Sequence, residues 1–218
     1  ADRIPMQTDA RAARTALALN PDRATVALLP GSRPSEVHYM GRVFVETAAW
    51  MHGRRGDLQF VLPAAGAALF ERLQAMIAGL PLPPGLRLTL VQGRSHEVLA
   101  AADVVLVASG TATLETALFR RPMVVAYRMA WLTYRLMRNK GYLPWIGLPN
   151  ILAHASLVPE FIQDAAQPDA MGAALLAQLD DAPLRARLAE RFEAMHHELR
   201  CDCPQRAAEV LLSMGGAQ

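Results

Sequence analysis

Two rhythms of apolar positions run along the chain. Up to residue 127, short unbroken apolar runs alternate with stretches in which apolar residues recur every third or fourth position. The runs "ATVALLP" (24–30), "LQFVLP" (58–63), "RLTLVQG" (87–93), "DVVLVAS" (103–109) and "PMVVAY" (122–127) predict five strands. Between them "PSEVHYMGRVFVETAAWMHG" (34–53), "AALFERLQAMIAGL" (67–80), "SHEVLAAA" (95–102) and "TATLETALFR" (111–120) predict helices. In the first of these, Val37, Met40, Val43, Phe44, Thr47 and Trp50 keep helical period. Unbroken Val and Leu runs mark strands covered on both faces, and a helix between successive strands makes the sheet parallel. Beyond residue 127 the pattern predicts only helices, over 131–141, 158–165, 168–180, 182–200 and 204–214, several with Pro at or near the start. The expected fold is α/β: a doubly wound parallel sheet over 1–181 with a helical C-terminal tail over 182–218.

In such a sheet the ligand crevice lies outside the carboxyl ends of the strands, which singles out the loops after the five runs. Two of them combine Gly, hydroxyl and charge. In "LPGSRPSE", Gly31 permits a sharp turn with exposed N–H groups, Pro34 suits a first helical position, and Arg33 is a forked donor able to clamp an anion. The alternative is that Arg33 pairs with Glu36 or Asp57 on the surface. In "ASGTATLE", Ser109, Gly110 and Thr111 lie at a helix start, where unpaired N–H groups and the helix dipole favour phosphate. Glu115, four residues on, can accept from a diol; it can equally be a solvated helix residue.

Composition narrows the field. At 218 residues and 52% hydrophobic content the chain can bury a substantial core. A net charge of +2 with no long block of like charges lacks the footprint of a duplex nucleic-acid binder, and no such partner is expected. No apolar run reaches the length of a membrane span and the N-terminal stretch lacks a signal-peptide core, so a cytoplasmic location is expected. Cys201 and Cys203 stand in "CDCP" without a second pair, which favours free thiols over zinc. Neither GxGxxG after a strand nor GxxxxGK[ST] occurs, and His96 in "HEVLA" reads as a helix-surface residue. The charged, alanine-rich opening suggests a chain that begins within something larger.

The segments "LLPGSRPSEV", "ADVVLVASGTATLETAL", "RPMVVAYRM" and "GLPNILAHASLVPEFIQD" resemble, in order, the C-terminal half of the lipid-A-disaccharide synthase family, inverting GT-B glycosyltransferases. The resemblance runs from about residue 2 to 212. It implies that the Rossmann-like domain, 1–181, holds a nucleotide-sugar donor, and that 182–218 packs toward an N-terminal acceptor domain outside this chain. "LLAQLDDAPLRARLAERF" would then expose part of its leucine face. The implied donor is UDP-2,3-diacylglucosamine and the implied acceptor 2,3-diacylglucosamine 1-phosphate (lipid X). No metal or cofactor is implied, the UDP-sugar being a substrate.

Site roles carried by the resemblance fall on named residues. Arg33 and Asn150 would be catalytic, Arg33 neutralising the leaving diphosphate and Asn150 lying near the reacting sugar. Gly31 and Ser32 shape the Arg33 loop, while Ser109, Gly110 and Thr111 would donate to the diphosphate. Glu115 would bind the ribose, and the 91–94 loop with Gln92 and Gly93 would face uracil. Glu160 and Gln163 would contact the donor, unless they are merely solvated. His154 stands where the family has glycine, and either binds phosphate or replaces that glycine. Arg128, Trp131, Arg135 and Arg138, with Leu132 and Leu136 beside them, form a basic and aromatic stripe suited to an anionic membrane surface on the inner face of the bacterial inner membrane; a half-buried helix is the alternative. A homodimer is left open. The competing functions are a UDP-sugar 2-epimerase and a non-catalytic UDP-sugar-binding subunit.

Overall fold

The computed structural model describes residues 1–137 and 144–202. Its strands are β1 (Thr25–Leu29), β2 (Gln59–Ala64), β3 (Leu88–Gln92), β4 (Val104–Ala108), β5 (Met123–Tyr127) and β6 (Glu160–Ile162). They form one sheet, parallel throughout, in the order β3-β2-β1-β4-β5-β6. The helices are α1 (Ala10–Ala16), α2 (Pro34–His52), α3 (Ala67–Ala78), α4 (Ser95–Ala101), α5 (Thr111–Leu118), α6 (Trp131–Met137), α7 (Leu148–Ala153), α8 (Pro168–Asp180) and α9 (Ala182–Leu199).

The unbroken apolar runs are explained by two cores, one on each face of the sheet. Side chains of a strand point alternately to opposite faces. Val26, Leu28, Phe60, Leu62, Val104 and Leu106 meet α2, α3 and α8 on one face. Ala27, Leu29, Val61, Val105 and Val107 meet α4, α5 and α9 on the other. Burial of Leu188, Phe192 and Met195 seats α9 in the second core, and Leu175 and Leu179 of α8 lie in the first. The expected exposed leucine face of this segment is therefore absent among the described residues.

One predicted helix is corrected. Residues 158–165 contain β6, paired with β5 through Val125↔Glu160, Ala126↔Phe161 and Tyr127↔Ile162, followed by a 3-10 turn over Gln163–Ala165. A three-residue edge strand is too short to show alternation, and Val158, Phe161 and Ile162 mimic helical spacing. Two short helices had no prediction. α1 starts at Asp9, whose side chain accepts from the Ala12 N–H at 3.0 Å, and α7 spans six residues. Of the predicted helix 131–141 the described part is α6; Arg138, Cys203 and the predicted helix at 204–214 lie outside the described residues.

The strand order reverses between β1 and β4: β1 leads outward to β2 and β3, and β4 to β5 and β6. Loops leaving neighbouring strands at such a point turn to opposite faces and open a crevice between them.

Candidate functional site

A cavity of about 680 Å³ occupies that crevice. It is lined from the β1 loop by Gly31, Ser32, Arg33 and Glu36, and from the β4 loop and α5 by Ser109, Gly110, Thr111 and Glu115. Gly93 and Ser95 close it beyond β3, and Tyr127, Met129 and Ile146 beyond β5. The sequence reading missed the last three, although Tyr127 and Met129 lie in "AYRMAW", which runs on from a predicted strand and so already marked that edge. A second cleft at the opposite end of the sheet lacks this switch-point geometry.

The β1 and β4 loops that line the cavity are built differently. At β1, Gly31 has φ +119°, and a Cβ there would lie 2.4 Å from the Cβ of Glu36, so only glycine fits. The Glu36 carboxylate turns back to the loop: Oε2 accepts from the N–H groups of Ser32 at 2.9 Å and Arg33 at 3.2 Å. This caps α2 and fills the nest of amide donors with the chain's own carboxylate. Arg33 donates from Nη1 to Glu36 Oε1 at 3.2 Å, yet its side chain is 78% exposed. Of the two surface partners weighed for Arg33, Glu36 is the one it meets, and the guanidinium still borders the cavity.

At β4 the helix start is open. Gly110 has φ +154°, and a Cβ at this position would meet nothing within 4 Å. The N–H groups of Thr111 and Ala112 have no acceptor among the described residues, and the dipole of α5 adds to their attraction for an anion. Ser109 lines the cavity, but its N–H donates to Ala126 O at 3.1 Å and its hydroxyl to Ile146 O at 2.8 Å, so without a ligand both donors hold β5 and the Ile146 segment. Glu115 is 40% exposed at the rim, its Oε2 3.7 Å from His96 Nε2, and the His96 ring packs against Phe119.

Four predicted contacts do not line the cavity. Gln92 is exposed at the end of β3. Asn150 is fully buried and donates to Val158 O and Glu160 Oε1 while accepting from Leu157 N and Val158 N. Glu160 also accepts from the N–H groups of Ile146 and Gly147, at 2.8 and 2.9 Å. Gln163 exchanges hydrogen bonds with the backbone of Met129. Asn150, Glu160 and Gln163 thus hold the Ile146 and Met129 walls of the cavity, and the hydrogen-bonding capacity of the Asn150 amide is met inside the protein rather than in the cleft.

Other expectations resolve locally. Arg94 donates to both oxygens of Glu97 and to Ala16 O, and these hydrogen bonds hold the Glu97 carboxyl below its ordinary value. His154 adopts φ +48°, ψ +34°, the left-handed conformation of a loop glycine, at the end of α7. Arg128 leaves the membrane stripe: its Nη2 donates inward to Ala166 O at 2.5 Å. Trp131 is 64% exposed with the Arg135 guanidinium over its ring, 5.2 Å from the centroid. Among the described residues no group of three or more His, Cys, Asp or Glu could hold a metal ion, and no helix is long and apolar enough to cross a membrane.

A parallel six-stranded sheet with its crevice between β1 and β4 is the architecture of GT-B glycosyltransferases, and solved structures of that class superpose on it. WaaG, a glycosyltransferase involved in lipopolysaccharide biosynthesis, matches with a TM-score of 0.59 at 17% identity, over 93% of this chain and 50% of that one. Anabaena HepE, solved with UDP and glucose, gives 0.60 at 16%, over 94% and 52%. These likenesses concern the fold. The sequence model of the LpxB family, lipid-A-disaccharide synthetase, matches residues 1–211. Lipid-A-disaccharide synthase of Thiobacillus denitrificans is 53% identical over 211 residues, 97% of this chain and 55% of that protein. The chain belongs to the lipid-A-disaccharide synthetase family, as its motifs had implied, and spans about half the length of the curated relatives it matches.

Proposed function

We propose that the chain is the donor-binding half of a lipid-A-disaccharide synthase. In this reading 2,3-diacylglucosamine passes from UDP-2,3-diacylglucosamine to the 6-hydroxyl of lipid X with inversion, releasing UDP. The observation that carries it is the meeting of Arg33, the open start of α5 and Glu115 around one cavity. As the bond to the anomeric carbon breaks, charge gathers on the UDP diphosphate. Arg33 meets that charge from one side and the Thr111 and Ala112 N–H groups from the other, an interaction strongest in the transition state. Glu115 accepts from the ribose hydroxyls, and Gly93 leaves room for the uracil edge. No metal is needed for this charge balance. The acceptor site and the base that takes the hydroxyl proton belong to an N-terminal domain. Trp131 and Arg135 face an anionic membrane surface on the cytoplasmic side, from which both lipid substrates come.

Calorimetry with UDP and a radiolabelled-donor assay test the proposal. The chain alone should bind UDP weakly and form no disaccharide. Turnover by the chain alone would overturn the two-domain division of labour; a folded sample that binds no UDP would overturn the donor site.

A further inference from the structure

The cleft at the opposite end of the sheet has a volume of about 560 Å³, within the range of small-molecule sites. Ala24, Asp103 and Pro122, the residues that lead into β1, β4 and β5, line it. So do five arginines from separate parts of the chain: Arg14 of α1, Arg55 after α2, Arg120 and Arg121 between α5 and β5, and Arg185 of α9.

Their charges are not all balanced. Arg14 pairs with Asp103 at 2.7 Å, Arg55 with Asp180 at 2.7 Å and Asp57 at 3.3 Å, and Arg120 with Glu193 at 3.2 Å. Asp22, the remaining acid of the lining, is engaged by Arg11. Arg121 and Arg185 have only neutral partners. Arg121 donates from Nε to Leu99 O and from Nη2 to Ala100 O and Thr8 Oγ1. Arg185 donates from Nη1 to the carbonyls of Gln178 and Leu179. Burial pushes the Arg121 guanidinium below its ordinary value; Asp103 opposes this, and Arg14 and Arg120 add repulsion. Nη1 of Arg121, and Nε and Nη2 of Arg185, have no acceptor among the described residues. Backbone carbonyls hold both forks in place, so these spare donors are fixed before any ligand arrives.

We infer that this cleft is an anion site, separate from the donor cavity, that takes the phosphate monoester of a phosphorylated ligand on Arg121 and Arg185. Two guanidinium forks without a carboxylate hydrogen-bond partner, in a cleft lined by five arginines, suit the oxygens and the negative charge of a phosphate monoester at neutral pH. The ligand is either a phosphorylated lipid headgroup or a soluble phosphate ester.

The test uses the 218-residue chain, isotope-labelled for NMR and titrated with inorganic phosphate. In parallel, the chain is sedimented with phosphatidylcholine vesicles with and without phosphatidic acid. A saturable shift of amides around residues 121 and 185 is expected from phosphate, saturable co-sedimentation from phosphatidic-acid vesicles, or both. Response to vesicles alone identifies a lipid source, and to phosphate alone a soluble one. Arg185→Gln should weaken the response about tenfold or more, as expected for loss of a charge-assisted contact, and Arg33→Ala should leave it unchanged. Should Arg185→Gln fail to fold, Arg185→Lys and Arg121→Lys replace it; each keeps the charge, loses the fork and should weaken binding measurably. The inference fails if neither probe gives a saturable response, if shifts are confined to residues 110–115, or if the Arg185 and Arg121 variants bind like the parent.

Discussion

Replacing Asn150 by alanine should make the chain easier to unfold while sparing UDP recognition. Its amide spends all its capacity inside the protein: Nδ2 donates to Val158 O at 2.9 Å and Glu160 Oε1 at 2.8 Å, and Oδ1 accepts from Leu157 N at 2.8 Å and Val158 N at 3.0 Å. Val158 is 1% exposed, so alanine orphans a buried N–H and a buried C=O, at about 1 kcal/mol or slightly more each. Loss of the bond to the Glu160 carboxylate adds roughly 1.5 kcal/mol, and the half-buried Leu157 N–H can turn to water. The total is about 3–4 kcal/mol, equivalent to a fall in melting temperature of about 10 °C for a domain of this size. Thermal and urea unfolding measure the loss, and calorimetry on the folded variant at low temperature measures UDP. Asn150→Asp sharpens the test. It keeps the acceptor but places a second carboxylate against Glu160; like charges raise the carboxyl pKa of such a pair in the folded state, so stability should recover partly as pH falls from neutral toward the ordinary carboxylate range and one acid regains a proton to share. An alanine variant with parental stability and no UDP binding would refute the reasoning and return Asn150 to direct contact with the donor.

Three other substitutions probe the cavity and the helix beyond β5. Arg33→Ala should cost about 2–5 kcal/mol of donor or transition-state stabilisation in the full-length enzyme, with Arg33→Lys a partial rescue, while stability stays near that of the parent; steady-state kinetics and urea unfolding separate the two effects. Gly31→Ala, forced to φ +119° with its Cβ 2.4 Å from that of Glu36, should destabilise by roughly 2 kcal/mol, and a neutral urea midpoint would mean that Glu36 does not cap the loop. Arg135→Glu should weaken flotation with anionic vesicles, and unchanged flotation would remove α6 from any membrane contact.

The sheet was legible because burial on both faces writes strands as unbroken apolar runs, and α2 to α5 keep their period between them. What escaped were elements fixed by side-chain contacts distant in sequence. β6 is anchored where Glu160 collects Ile146 N, Gly147 N and Asn150 across ten to fourteen residues, and no local pattern reports that. The same network explains why motif resemblance placed Asn150 and Glu160 at the donor. They shape the wall of the cavity proposed to hold it, so a motif would mark them as strongly as a contact would. For Ser109 the helix-start position was read correctly, but the acceptor that uses up its hydroxyl, Ile146 O, lies 37 residues away.

Arg33 unites the two readings that its sequence left open. Its pair with Glu36 is solvent-exposed on the arginine side, and such pairs contribute about 0–1 kcal/mol, so the guanidinium can leave Glu36 at little cost. Glu36 does not need Arg33 to stay in place, because its other oxygen remains bonded to the Ser32 and Arg33 amides. The β1 loop therefore keeps its shape when Arg33 swings toward a diphosphate, and its amides, already occupied, take no part. Across the cavity the arrangement is reversed: at α5 the side chains contribute little, and the fixed backbone N–H groups are open. One wall offers a mobile charge on a rigid loop, the other rigid dipoles. Under the proposed function, an anion whose charge grows during reaction would draw the first toward it while resting against the second, so this pair of loops would bind a leaving diphosphate more tightly than the intact donor.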